Sequence, residues 1–268
     1  MNVIDLSWWQ LALAATLVLA LAACTHLARL GLGKSLLAAA IRTAIQLALI
    51  GMVLEVLFAA GSLHWVALMG VAMLSLAGRE VVARQKYRLR GGWSFAIGTL
   101  AMFISAFSIT ILTLLTVIGP HPWYEPQYSI PLLGMLLGNT MTGVALGLDR
   151  LTESARRSRD IIENRLMLGE PWALACSDFR RDAVRAGLMP IINAMAAAGI
   201  VSLPGMMTGQ ILAGSPPTVA VKYQILIMFT IAAGTGFGTF AAVAVCARRL
   251  FDGRERLRLD RLTSGGPD

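Results

Sequence analysis

The chain has few charged residues and few cysteines for its length of 268 residues. Charged residues make up 14% of it, whereas a soluble domain carries about 25%, so there is too little polar surface to dissolve such a fold in water. Cys24, Cys176 and Cys246 stand at no metal-ligand spacing, which excludes a disulfide framework and a zinc site of ordinary pattern. No Ser/His/Asp or paired-carboxylate arrangement indicates a hydrolase. The sequence favours a membrane protein that is not an enzyme.

Apolar residues make up 56% of the chain, and they are grouped. A helix needs about 20 apolar residues to cross a bilayer, and seven stretches reach that length. They are approximately Trp8–Ala28, Ser35–Phe58, Leu63–Ala83, Trp93–Ile118, Ser129–Leu148, Gly187–Leu212 and Tyr223–Ala247. The third contains Gly78-Arg79-Glu80, where it could end early. The sequence predicts an all-α, polytopic membrane helix bundle of about seven transmembrane helices.

Basic residues occur in every second connection between these stretches. The basic connections are the Arg29/Lys34 turn, the Arg79–Arg90 loop, the Asp149–Ala186 segment and the chain after Ala247. Such alternation sets membrane topology, with basic loops in the cytoplasm. It therefore predicts an N-terminus outside and a cytoplasmic C-terminus in a bacterial inner (plasma) membrane. It also argues that the net charge of +8 does not serve nucleic-acid binding.

The organisation predicted is a single transmembrane domain over residues 1–250 and a basic cytoplasmic tail over residues 251–268. Within the domain, residues 149–186 form the longest cytoplasmic segment. In Ile161–Gly169, apolar residues recur at helical spacing beside charged ones, which predicts a short amphipathic helix. This helix could dock into a partner's groove or lie on the membrane surface. Leu262–Asp268 is polar and contains Gly and Pro, so it is predicted to be disordered.

The sixth stretch contains a helix breaker. Pro204 lacks a backbone donor and Gly205 lacks rigidity, so this span should break or kink there. Broken backbone at membrane depth is tolerated where it faces protein or a wet cavity, which would make neighbouring polar groups and thioethers available to a passing solute. The candidates are Met206, Met207, Thr208 and Gln210. A packing kink, or the outer end of the span, is the alternative.

Two other stretches carry unusual polarity. In the fifth, Gly134/Gly138 and Gly143/Gly147 are GxxxG pairs that permit close helix approach. The residues between them, Asn139, Thr140, Met141 and Thr142, are candidates for a transport path, although helix packing explains them equally well. In the second stretch, Gln46 shares a helix face with Arg42, and Glu55 lies near the outer mouth, where it could attract a cation.

Several motifs resemble one known family. The run Ser202-Leu203-Pro204-Gly205-Met206-Met207-Thr208-Gly209-Gln210-Ile211-Leu212-Ala213-Gly214, followed by Pro216-Pro217 and Tyr223-Gln224-Ile225, is similar to the FetB-like family of ABC permeases. Gly138-Asn139-Thr140-Met141-Thr142-Gly143 and the Arg42/Gln46 pair match the same pattern. The resemblance covers about Leu11 to Leu250.

This resemblance implies a permease subunit that binds no cofactor itself and works with a separate ABC ATPase subunit, which holds ATP and magnesium. It implies two permeases with two ATPases, and in bacteria the export of iron, metal ion homeostasis and resistance to oxidative stress. Glu163–Gly169 looks like the family's coupling helix. The expected coupling residues are Glu163, Arg165, Leu166, Leu168, Gly169, Glu170 and Trp172.

The expected partners are thus the ATPase, a second permease, membrane lipid and the transported metal ion. Ligand chemistry adds little to the metal assignment, because thioethers are weak ligands for hard ions. The sequence offers no tight metal site, and Met206 and Met207 are weak candidates. Alternating access would use a path lined by Asn139–Thr142 and Met206–Gln210. The alternatives are a permease for an organic solute such as a nucleotide sugar, and a membrane scaffold that transports nothing.

Overall fold

A computed structural model describes residues 7–264, apart from the side chain of Ala60. Nearly all of this chain is helical. The helices are α1 (Trp8–Leu27), α2 (Gly33–Ala60), α3 (Leu63–Ala83), α4 (Trp93–Met102), α5 (Ser108–Thr113), α6 (Pro126–Arg157), α7 (Arg159–Met167), α8 (Trp172–Ala175), α9 (Ser177–Ala197), α10 (Gly205–Leu212) and α11 (Pro217–Arg249). Two short strands, β1 (Tyr87–Leu89) and β2 (Leu262–Ser264), complete the fold with a 3-10 turn at Leu259–Arg261. The predicted all-α bundle is confirmed.

Six helices are long and apolar enough to cross a membrane. One of them is the continuous helix Trp93–Ile118, in which the π-helical segments Phe103–Phe107 and Leu114–Ile118 follow α4 and α5. The sixth predicted stretch, 187–212, is not a single helix. It consists of the second half of α9, a connection over residues 198–204, and α10. The break predicted at Pro204-Gly205 is confirmed, since Pro204 is the residue that precedes the first turn of α10.

The third predicted stretch, Leu63–Ala83, is confirmed as helix α3, which continues through Gly78-Arg79-Glu80 to Ala83. Gly78 is a packing position: a Cβ there would collide with the side chains of Thr99 and Phe95 on α4. Because glycine has no Cβ, α3 can approach α4 closely at Gly78. Gly78 therefore does not end this helix.

The core of the bundle lies where α6, α9 and α11 cross. Gly143 on α6 faces Gly187 on α9 so closely that a Cβ on Gly143 would lie 2.9 Å from the Gly187 carbonyl oxygen. The same Cβ would lie 2.9 Å from the hydroxyl of Thr239 on α11. Small residues at such a crossing let helix backbones approach, as membrane bundles require. Packing is thus sufficient to explain this half of the GxxxG pattern.

Helices α1 and α2 lie at the edge of the bundle. In α1 only Ala22 and Thr25 are buried, and among the α2 side chains that the structure describes only Leu57 is. The two helices pack mainly against each other. Most of their apolar surface faces outward, as expected for spans surrounded by lipid.

The chain after α11 folds back onto the bundle. β2 pairs antiparallel with β1, with Leu262 opposite Leu89 and Ser264 opposite Tyr87. Leu262, Leu250 and Phe251 are buried. Disorder was therefore the wrong prediction for residues 262–264, while residues 265–268 lie outside the described chain. We call residues 250–264 the C-terminal clasp.

Candidate functional site

The break between α9 and α10 is a tight turn. The Gly199 N–H donates to the Ser202 carbonyl (2.9 Å) and the Ser202 N–H to the Ala197 carbonyl (3.1 Å). Gly199 has a φ of +82°, which side chains disfavour. The turn thus satisfies part of the backbone that the break frees, and α10 restarts after Pro204.

One face of α10 borders a cavity of about 270 Å³ between the first halves of α6 and α11. Its polar and sulfur-bearing wall consists of Gln127, Tyr128, Met135, Met206, Gln210, Ser215 and Tyr223. The Gln210 Oε1 is buried and has no hydrogen-bond donor among the described residues. An orphaned buried carbonyl costs free energy unless water or a ligand reaches it. We call this the α10 cavity.

The α10 cavity extends into the helix bundle from the first residues of α6 and α11. Met135 follows the start of α6 by nine residues and Ile227 follows the start of α11 by ten. At 1.5 Å per residue these positions are about 14 and 15 Å along their helices. The α10 cavity therefore extends along α6 and α11 from their first residues, where Gln127 and Tyr128 line it, to a depth of about 14 to 15 Å. Open backbone is tolerated next to such a cavity.

The predicted path residues are only partly brought together. Met206 and Gln210 line the α10 cavity, whereas Met207 and Thr208 do not. The Thr208 hydroxyl instead donates to the Pro204 carbonyl (3.2 Å).

The candidates on α6 are divided between two faces. Thr140 is fully buried, and its side chain contacts the positions of Gly234 and Gly238 on α11. Met141 packs partly buried against the core. Asn139 and Thr142 lie on the more open face, and each side chain donates a hydrogen bond to the carbonyl four residues earlier. Asn139 donates to Met135 (2.8 Å) and Thr142 to Gly138 (3.1 Å). Their role in transport stays a prediction.

The two candidates on α2 lie apart from the α10 cavity. Gln46 and Glu55 are exposed on a helix that contacts the bundle sparsely. Arg42 of the same helix does reach the bundle, since its guanidinium lies 3.8 Å from the Glu80 carboxylate on α3. Glu80 is shared with Arg84 at 3.5 Å, and Arg84 also lies 3.5 Å from the Thr142 hydroxyl. This polar chain connects α2, α3 and α6.

The arginine-rich end of the bundle carries a separate lobe built from α7, α8, the start of α9 and the C-terminal clasp. The predicted amphipathic helix is α7, with Ile162 buried beneath it. Arg165 pairs with Asp178 of α9 at 3.0 Å, and Glu163 pairs with Arg159 at 2.8 Å. Two of the expected coupling residues are therefore held in fixed positions.

The tip of α7 exposes apolar side chains. Met167 is 76% exposed and Leu168 is 84% exposed. The chain turns away immediately afterwards at Gly169, whose φ is +89°. Between this tip and the clasp lies an open groove of about 710 Å³ bordered by Glu163, Leu166, Glu170 and Arg254. Exposed apolar groups beside a polar groove are typical of a surface that binds another protein.

The clasp fixes the far side of this groove. The Glu255 carboxylate accepts the Trp172 backbone N–H at 3.0 Å, and the rings of Trp172 and Phe251 lie 5.5 Å apart. Asp252 accepts backbone N–H bonds from Arg256 (3.0 Å) and Arg254 (2.9 Å). These bonds, the one from Arg256 foremost, lower the pKa of Asp252 to about 2. Trp172, an expected coupling residue, is thus attached to the clasp.

Sequence reasoning missed Met135, Tyr128 and Tyr223 in the cavity, and Glu255 in the lobe. Met135 precedes Asn139 by four residues, so helical spacing alone placed it on the same face as a named candidate. For Glu255 no local signal existed, because its partner is 83 residues away.

A metal ligand set of the common kind is not present in the described chain: no group of three or more His, Cys, Asp or Glu side chains converges. The sulfur and amide groups of the α10 cavity are the nearest substitute. Thioethers are soft ligands, suited to Cu(I) or borderline ions rather than to hard trivalent ones. Weak ligation is compatible with passage.

Comparison with known proteins gives one consistent result. Residues 8–251 match the Uncharacterised protein family (UPF0014). A UPF0014 membrane protein of Synechocystis is 38% identical over 254 residues, covering 95% of this chain and 97% of the relative. The Probable iron export permease protein FetB of Escherichia coli is 30% identical, covering 98% and 99%. The UPF0014 membrane protein STAR2 of rice is 33% identical, covering 91% and 84%. No solved structure matches the chain.

Proposed function

Because the chain belongs to the UPF0014 family, we propose that this multi-pass membrane protein is the permease subunit of an ATP-driven transporter that exports a metal ion. The observation that carries the proposal is the broken α9–α10 segment, whose second part lines the α10 cavity between α6 and α11. Discontinuous helices beside a cavity are a recurrent way to build a substrate site in transporters.

The cargo we propose is iron in its ferrous form or a related divalent ion. A relative similar over nearly its whole length carries the name of an iron export permease. The α10 cavity offers two thioethers, from Met135 and Met206, and the unpartnered oxygen of Gln210. Such a mixed, uncharged set holds a borderline divalent ion weakly and a hard ferric ion poorly. Weak binding allows the ion to dissociate after it has crossed the membrane.

Energy would come from a separate ATPase subunit. The arginine-rich lobe faces the cytoplasm by the positive-inside rule, and the exposed Met167 and Leu168 at the tip of α7 would enter the ATPase. In this arrangement ATP-driven closure of two ATPases moves two permease copies. The clasp transmits that movement, since it ties Trp172 to the end of α11.

The test is ATP-dependent ⁵⁵Fe²⁺ uptake into inside-out vesicles that contain the permease and an ATPase subunit. That subunit would first be identified by its co-purification with the wild-type chain and by its MgATP hydrolysis. Replacing Met135, Met206 and Gln210 together by Leu should reduce uptake at least tenfold while ATP hydrolysis persists. Met207→Leu is the matched control, because Met207 adjoins Met206 without lining the cavity, and it should leave uptake within twofold.

The outcomes separate the site from the function. If the triple variant transports normally, the α10 cavity is not the path, although the permease assignment stands. If wild-type vesicles with an active ATPase move no metal, export of a metal ion is rejected. If no ATPase associates with the chain, the scaffold alternative replaces transport.

A second candidate cargo is an organic anion such as a nucleotide sugar. It is favoured by the polar chain on α2 and α3, where Arg42 and Arg84 flank the single carboxylate of Glu80. This excess of positive charge repels a cation and attracts phosphate groups. Stimulation of ATP hydrolysis by UDP-glucose but not by Fe²⁺ would favour the anion. The reverse result, with Arg42→Gln leaving hydrolysis unchanged, would favour the metal.

A further inference from the structure

A second cavity lies on the arginine-rich side, where two spans end. It has a volume of about 280 Å³. Its wall includes Arg90, Gly91, Trp93, Arg249, Asp260 and Arg261. We call it the interface pocket. The interface pocket has no lining residue in common with the α10 cavity. It has only Asp260 in common with the groove beside α7.

The position of the interface pocket follows from its helices. Trp93 is the first residue of the continuous helix Trp93–Ile118, and Arg249 is the last residue of α11. Both helices are long and apolar enough to span a membrane. Their adjoining ends lie at the arginine-rich end of the bundle, which the positive-inside rule places near the cytoplasmic membrane surface. Trp93 remains 44% exposed there, as expected of a tryptophan at the membrane interface.

The pocket is built from groups that are otherwise held in place. The Arg249 guanidinium lies over the Trp93 ring at 4.0 Å from its centre. Arg261 is anchored because its guanidinium donates to the Arg249 carbonyl at 2.7 Å, while its own carbonyl accepts the Arg90 N–H at 2.8 Å. The connection Gly91-Gly92 has a φ of +69° and +76°, which turns the chain sharply into the helix. Preorganised arginines suit anion recognition.

The charge of the pocket is not neutralised by the protein. Within residues 7–264, no carboxylate lies within ion-pair distance of Arg90 or Arg249. Asp260 is engaged by Arg258, whose guanidinium donates to both carboxylate oxygens at 2.8 Å. This pairing lowers the pKa of Asp260 to about 2, so its charge is present but compensated. Arg90, Arg249 and Arg261 are left facing the pocket.

We propose that the interface pocket binds the phosphate of an anionic lipid headgroup, with Arg90 and Arg249 as its principal ligands. Basic pockets between transmembrane helices on the cytoplasmic side are suited to such headgroups. The acyl chains would continue along the apolar faces of the Trp93–Ile118 helix and α11, where Phe95 and Val245 are exposed. A bound lipid would brace the C-terminal clasp against the bundle, because Asp260 and Arg261 belong to the clasp.

The experiment measures the binding of short-chain phosphatidylglycerol to the purified full chain in a neutral detergent, by native mass spectrometry. One high-affinity lipid per chain is expected, with phosphatidylcholine of the same chain length binding at least tenfold more weakly. Arg90→Gln should weaken binding about fivefold and the pair Arg90→Gln/Arg249→Gln about 30-fold, given the attraction of one arginine for an anionic surface. Arg249→Lys should retain most of the affinity.

The matched control is the pair Arg29→Gln/Arg157→Gln, which removes the same charge from two exposed arginines outside the pocket. It should change binding by less than twofold. Equal weakening by both pairs would overturn the proposal, as would equal binding of the two lipids. Should Arg249→Gln unfold the chain by losing the Trp93 contact, Arg90→Gln alone decides, since within residues 7–264 the exposed Arg90 side chain makes no hydrogen bond or ion pair. Displacement of the lipid by inorganic phosphate at equal concentration would reassign the pocket to free phosphate.

Discussion

Replacing Gly187 by Ala tests the packing of the bundle where α9 crosses α6. A Cβ on Gly187 would lie 2.5 Å from the Gly143 carbonyl oxygen and 2.7 Å from the Thr239 Cγ2. Ordinary contact begins near 3.4 Å, so α9 must move outward by most of an ångström. Overpacking of this kind costs about 1 to 3 kcal/mol. The better helix propensity of Ala returns up to about 1 kcal/mol.

With about 2 kcal/mol for the overpacking and about 1 kcal/mol returned by the helix propensity, the net prediction is a loss of about 1 kcal/mol in the free energy of unfolding. Reversible unfolding by SDS in mixed micelles measures it. The control is Gly138→Ala, because Gly138 is a helical glycine of the Gly134/Gly138 pair on α6 but nothing lies within 4 Å of its Cβ position. That variant should be neutral or stabilising by up to about 1 kcal/mol.

Equal stability of Gly187→Ala and Gly138→Ala would refute the reasoning, since the close approach would then not constrain the helices. Destabilisation by both would also contradict it, because space around Gly138 would have to be filled by something other than the described chain. A specific loss at Gly187 identifies this crossing as the rigid frame against which α10 and its cavity are held.

Three further predictions concern the lobe. Because hydrogen bonds hold the pKa of Asp252 at about 2, below its usual value, its contribution to clasp stability should be complete above about pH 4 and lost as pH falls toward 2. Hydrogen exchange of residues 250–258, corrected for intrinsic rate, should show this loss in wild type and not in Asp252→Asn. Leu262→Asp should release strand β2, in which Leu262 is the buried residue, and accelerate tryptic cleavage of the clasp at least tenfold. The control Ser264→Asp, at an exposed position, should leave the cleavage rate unchanged. Equal cleavage of the two variants would argue against the β1–β2 pairing. Burial raises the pKa of the Cys176 thiol, so maleimide should modify it at least tenfold more slowly at pH 7 than free cysteine, and comparable rates would show that the α8–α9 junction is open.

The sequence alone predicted the features that depend on local chemistry. Hydrophobic length sets which segments can cross a bilayer, and that property belongs to each segment by itself. The break at Pro204 follows from its missing backbone donor. Helix α7 follows from the helical spacing of apolar residues within the nine residues Ile161–Gly169. The break and α7 are confirmed, and six of the seven predicted stretches are helices long enough to cross a membrane. The sequence left open whether α3 ends early at Gly78, because a glycine serves either packing or termination, and only its neighbours on α4 show that it serves packing.

Contacts between distant residues were decided by the tertiary structure. Met135 joins Met206 around one cavity, Glu255 receives the Trp172 N–H, and β2 finds its partner strand more than 170 residues earlier in the chain. Helical periodicity states which face a side chain occupies, but not which helix that face meets. That choice depends on how closely backbones can approach, as at Gly143 and Gly187. The positions of the membrane-spanning helices are therefore determined by the distribution of apolar residues along the chain. The α10 cavity, the C-terminal clasp and the interface pocket form only because the helices pack in one arrangement.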